Sequence, residues 1–219
     1  MSHLHLADGL LPAWLWGSGM IVALALLARA SHLASPQQLA YRGALGGLML
    51  AAMAVPLGPI DFHLTLAGPL GVLLGPAGAL QVAFVANAIL ALMGHGGLTT
   101  IGLNTLILGS AAAVAHPTYR LLARSQAPPL AMALATAAGQ VVAGVAWLAI
   151  SVVALRVAGP QVVDHGRHTR LEWFTGIASV LWFVGLLVES AVGWGIGGFL
   201  ARVQPTLLPR PAGPPRATA

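Results

Sequence analysis

The sequence predicts an all-α polytopic integral membrane protein of about seven transmembrane helices with an outward N-terminus. Three observations predict it: an apolar composition with almost no charge, a series of apolar stretches of spanning length, and an uneven distribution of arginine. Of 219 residues, 58% are hydrophobic and 7% charged, and the mean hydropathy is +0.85. A soluble domain of this length carries roughly a quarter charged residues. Too few polar groups remain here to cover a water-facing surface. The net charge of +5 comes from ten arginines without a lysine. They are scattered between apolar stretches, which argues against a nucleic-acid partner. The absence of cysteine excludes disulfides and thiolate metal sites.

A spanning helix needs about 20 apolar residues. Leu10–Ala28 meets this length, and so does Leu39–Leu57, with Arg42 near one end. Leu64–Met93 is about 30 residues long, but "GPAG" at Gly75–Gly78 interrupts it, because Pro and Gly punctuate helices. Leu98–Ala115, Leu130–Val157 and Trp173–Leu200 supply further spans. Residues 1–203 therefore read as one transmembrane domain. The Pro-rich, polar 204–219 reads as a disordered cytoplasmic tail.

The topology turns on whether Leu64–Met93 crosses once or twice. With two crossings, Arg29, Arg42, Arg120, Arg124, Arg202, Arg210 and Arg216 share one side, against Arg156, Arg167 and Arg170 on the other. Such a bias places the larger set in the cytoplasm. With one crossing, the arginines divide evenly and the signal vanishes. In the two-crossing arrangement Leu64–Leu74 is short, about 16 Å of helix, and needs shelter from its neighbours. The start "MSHLHLADG" lacks a basic region, so no cleaved signal peptide is expected.

The same topology places the N-terminus, "GPIDFH" and "GHGG" outside, and gathers His3, His5, His63 and His95 at the outer face. The histidines played no part in choosing it. Neutral imidazole is the commonest protein ligand for divalent transition metals and suits Ni, Co, Cu and Zn. A free α-amino group adds a nitrogen donor; if Met1 is removed, that amine belongs to Ser2. An amine followed closely by His chelates in the square-planar manner that Ni(II) and Cu(II) accept. His63 could close the set. Taken singly, each of these histidines also fits an interfacial polar residue; the grouping with an amine sets them apart. His32, His116, His165 and His168 read as incidental.

Asp8 reads first as a cap for the opening helix and second as an acceptor behind a ligating histidine. Asp61 fits a loop residue best, with ligand or acceptor roles behind that. Glu189 lies inside the last span, where a carboxylate is costly and marks function by default. It could form a polar network with Asn104, hold a proton or ion, or equally be a buried, hydrogen-bonded structural glutamate. "GALGG" and "GWGIGG" suggest close helix packing. No HExxH, GxxxxGK or GxSxG occurs, so no enzyme activity is expected. Uphill work would draw its energy from another subunit.

Four stretches carry a resemblance. "HLADGLLP" (His5–Pro12), "FHLTLAGPLGVLLGP", "GHGGLTTIGLNTLILG" (Gly94–Gly109) and "VESAVGWGIGGFLARVQPTLL" occur in the order found in the CbiM/NikM family. The chain resembles this family from about His5 to Leu208. The resemblance implies the metal-capture membrane subunit of an energy-coupling-factor importer for Co²⁺ or Ni²⁺, in a bacterial-type cell membrane. The metal is cargo, and no cofactor is implied. It further implies seven helices, an outward N-terminus, and a metal held by the N-terminal amine, an N-terminal His and His63. The implied partners are a transmembrane coupling subunit, paired ATPase subunits and a small accessory membrane protein. Ala40 and Ala44 fit the AxxxA spacing that related subunits use to meet the coupling subunit. Two departures stand out. "MSHL" precedes His5, so either His3 or His5 shares the metal with the amine. His95 replaces an acidic residue of the family's "GDGG". The rival readings are a capture subunit for an organic micronutrient and a membrane-embedded metal-dependent hydrolase. The first wants aromatic residues around an outer pocket, and the second wants a general base such as Asp61.

Overall fold

The computed structural model describes residues 6, 8–9, 11–31, 35–57, 62–157 and 170–211. Among these the chain forms six α-helices: α1 (Ala13–Ser31), α2 (Pro36–Ala54), α3 (Ala67–Leu92), α4 (Ile101–Leu122), α5 (Pro128–Val157) and α6 (Arg170–Val203). The stretches in α1, α3, α5 and α6 are long and apolar enough to cross a membrane. One isolated antiparallel bridge, Leu57 with Phe62, precedes α3. Helix α2 starts ahead of its apolar run because Ser35 and Gln38 cap each other's backbone N–H, with Pro36 in the first turn.

Helix α3 is a hairpin. A straight helix of 26 residues would hold its ends about 39 Å apart. Yet the rings of His63 and His95, which flank it, lie 4.8 Å apart between centroids. The reversal occurs at Gly75, whose φ of 70° and ψ of 170° are non-helical and open chiefly to glycine. Pro76 follows and has no N–H, so the Val72 carbonyl loses its helical donor. His116 replaces it: Nδ1 lies 3.1 Å from the Val72 oxygen, and therefore carries the proton. His116 thus has a structural task at the reversal. Six helices rather than seven are found among the described residues because a single non-helical residue, not a loop, joins the two arms.

The first arm, 67–74, is enclosed. Ala67 through Val72 are all buried. A methyl group at Gly71 would sit 2.4 Å from Ala112 Cα on α4, and one at Gly68 would sit 2.8 Å from Thr136 Cα on α5. Such backbone approach is how apolar helices associate without a hydrophobic driving force. The second arm, 76–92, returns along α4 with Leu80 against Gly109. Near the reversal, Arg42 donates to Gln81 Oε1, and Gln81 donates to Ser31 Oγ. The arginine-bearing end of α1 and α2 thus lies opposite the end that carries His63 and His95.

Of the two glycine clusters, "GWGIGG" packs as expected, with Gly193 and Gly197 against Thr136 and Met132 on α5. In "GALGG" Gly46 meets Val82, while Gly43 and Gly47 have nothing within 4 Å. The start of the tail makes contacts with the helices. Residues 205–207 form a 3₁₀ turn, Leu208 packs on the cluster of Tyr119 and Met132, and the Arg210 carbonyl accepts from Arg120 Nε. Leu208 thereby covers apolar surface at the start of the tail. Residues 212–219 lie outside the described residues.

Candidate functional site

The turn after α3 organises the outer end. His95 donates its backbone N–H to the Leu90 carbonyl at 2.8 Å. The glycines on either side, Gly94 and Gly96, take φ of 80° and 87°, values that suit glycine and turn the chain sharply. His95 is half-buried and meets the ring of His63 edge-on, at an interplanar angle of 72°. His63 is itself only 2% exposed. The two ends of the α3 hairpin thus present two imidazoles to each other.

The same turn receives the N-terminal segment. Asn104 Oδ1 accepts the Leu6 N–H at 2.8 Å, and Asn104 Nδ2 donates to the Leu6 carbonyl at 3.2 Å. The Thr100 hydroxyl also donates to that carbonyl, at 2.6 Å. Asp8 does not cap α1, as the sequence suggested, nor does it bond a described histidine. Its carboxylate accepts the N–H groups of Leu98 and Thr99, at 2.8 and 2.9 Å, and the Thr99 hydroxyl. These donors lie in the turn just before α4, so Asp8 fastens a turn some 90 residues further on. The Thr99 hydroxyl, then the two N–H groups, hold the Asp8 carboxyl below its usual pKa. Gly97 makes the approach feasible, because a Cβ there would lie 2.4 Å from Asp8 Oδ1.

Glu189 and Asn104 do not form the common network that the sequence suggested. Asn104 is occupied by Leu6, whereas Glu189 on α6 reaches the start of α3. Its Oε1 accepts the Thr65 N–H, the Thr65 hydroxyl at 2.9 Å and the Leu66 N–H at 3.4 Å. The first N–H groups of a helix lack intrahelical partners, and a carboxylate is favoured there. Leu66 stands in the left-handed region with φ of 54°, a conformation costing about 1–2 kcal/mol for a residue with a side chain. Beside Glu189 a cavity of about 20 Å³ is lined by His63, Thr65, Gln140 and Trp182, enough for about one water.

Sequence reasoning missed Thr65, Thr100 and Gln140. Gln140 could have been found, being a polar side chain within a span, like Glu189. Thr65 and Thr100 carry no such local mark. His3, His5, Ser2 and Asp61 lie outside the described residues, as do His32, His165 and His168. Among the described residues no three His, Asp or Glu side chains cluster to hold a metal ion. The described contribution is the His63–His95 pair, beside a turn that also fastens Leu6, the residue after His5.

The family model described as "Cobalt uptake substrate-specific transmembrane region" matches residues 5–207. A crystal structure of a transition metal transporter is similar with a TM-score of 0.69 at 20% identity, covering 93% of each chain. A truncated transition metal transporter is similar with a TM-score of 0.67 at 20% identity, covering 90% of this chain and 96% of that one. No curated protein matches. At that identity the likeness to solved structures shows the fold, and the family match shows the rest: this chain is a multi-pass membrane protein of the CbiM family, a component of metal uptake rather than an enzyme.

Proposed function

We propose that this chain is the substrate-binding membrane subunit of an energy-coupling-factor importer, and that it captures Ni²⁺ or Co²⁺ as cargo at its outer face. One observation carries the reading. The turn at 94–100 brings His95 against His63 on one side and fastens Leu6 and Asp8 on the other. Two imidazoles and the anchored N-terminal segment therefore converge. His63 and either His3 or His5 act as ligands with the N-terminal amine, which Ser2 supplies if Met1 is removed, and His95 is the next donor. Asp8 and Asn104 hold the N-terminal segment in place.

The hairpin at Gly75 supports seven membrane passes: α1, α2, the two arms of α3, α4, α5 and α6. It also puts the reversal at the arginine-bearing end, which supports an outward N-terminus. Residues 1–203 act as one capture domain. Energy comes from partner ATPases through a transmembrane coupling subunit, with a small accessory subunit alongside. Ala40 and Ala44 are both exposed on α2, as a docking face for that coupling subunit requires.

The test is Ni²⁺ and Co²⁺ binding by the purified full chain. His63→Ala is expected to weaken binding at least roughly tenfold. Unchanged affinity would sink the site assignment. Acetylating the N-terminal amine is expected to weaken binding independently.

A further inference from the structure

We infer that Gly185 and Glu189, one turn apart on α6, form a seat that positions His63, and that Glu189 is a positioning residue for metal capture. The inference rests on the reading of His63 as a ligand. His63 lies in the short connection between Phe62 and the first arm of α3, and the chain on both sides of it is fastened to α6. Before it, the Phe62 ring lies against Gly185 so closely that a methyl group there would come within 2.8 Å of the ring edge. After it, Glu189 Oε1 gathers the Thr65 N–H, the Thr65 hydroxyl and the Leu66 N–H. Gln140 on α5 donates to the same Thr65 hydroxyl at 3.0 Å. Residues four apart share a helix face, so α6 offers one strip that holds the segment at two points.

With its neighbours held, the His63 backbone is fixed before any metal arrives, so only side-chain freedom is left to lose on binding. The left-handed turn at Leu66 is consistent with this, since such conformations persist only where surroundings over-determine them. All these hydrogen bonds fall on one oxygen. Toward Thr65 and Leu66 the side chain serves as an acceptor, and a glutamine carbonyl oxygen can take that role.

The experiment compares Glu189→Leu, Glu189→Gln, Gly185→Val and His63→Ala in the purified full chain. Ni²⁺ affinity is measured by calorimetry, and the visible absorption of bound Cu²⁺ reads the number of imidazole donors. Glu189→Leu and Gly185→Val are expected to weaken Ni²⁺ binding about 10–100-fold, as loss of groups behind a ligand does. Both should shift the Cu²⁺ band as His63→Ala does, and Glu189→Gln should stay close to the unmodified chain. If His63→Ala weakens binding while folded Glu189→Leu and Gly185→Val bind normally, the positioning role is overturned. It is also overturned if Glu189→Gln binds as weakly as Glu189→Leu. If His63→Ala itself changes nothing, the metal-site reading falls, and this inference with it. Should Glu189→Leu fail to fold, Gly185→Val decides.

Discussion

Asn104 and Glu189 are each 2% exposed, and each holds backbone that lies outside the helices, but they hold it differently. Toward Thr65 and Leu66, Glu189 acts only as an acceptor. It can fasten only a place where N–H groups stand unpaired, and the start of α3 is such a place. Asn104 carries both a carbonyl and an amide. It grips both the N–H and the carbonyl of Leu6, much as a neighbouring β-strand would. An acceptor fixes the end of a helix, whereas an amide fixes extended chain. The two sequence positions that looked alike as polar residues within spans therefore serve two different segments.

The largest effect that bears on this comparison is expected from Glu189→Leu. It strands the Thr65 and Leu66 N–H groups in a buried site and should lower stability by on the order of 3 kcal/mol. Thermal unfolding in detergent measures it, with Glu189→Gln recovering most of the loss. Asn104→Leu should cost less, about 2 kcal/mol, because the Leu6 carbonyl keeps the Thr100 hydroxyl. Equal losses for the two would erase the distinction. Gly97→Ala should cost about 1–2 kcal/mol by overpacking, and should raise amide exchange at Leu98 and Thr99 as Asp8 is pushed away. Acid has the smallest effect. The folded pKa of Asp8 lies below the ordinary 3.8, so its contribution is full above that value and is lost as pH falls through the lower, folded pKa. Asp8→Asn should remove this dependence of Leu98 and Thr99 exchange on pH.

Much of the fold was legible because it is local. The apolar lengths located the helices, and "GPAG" marked the reversal by its own chemistry. The arginine count put His63 and His95 on one side before any contact between them was known. Ser35 and Gln38 were readable as a capping box by their spacing, although the apolar pattern alone starts that helix at Leu39. The Asp8 contact was not readable, because its donors stand 90 and 91 residues away and nothing near Asp8 points to the turn before α4. The pairing of Phe62 with Gly185 is hidden for the same reason. A glycine inside an apolar helix announces close approach without saying what approaches.

The enclosure of the first α3 arm has a consequence for biogenesis. The eight residues of 67–74 amount to about 12 Å of helix, too short to partition into lipid alone. Their walls, at Ala112 and Thr136, are synthesised afterwards. The arm therefore reaches its final place only once α4 and α5 have been inserted, and its seat on α6 comes later still. His63, attached to that arm, takes up its position among the last events of assembly, so an incompletely synthesised chain lacks the seat its capture site depends on.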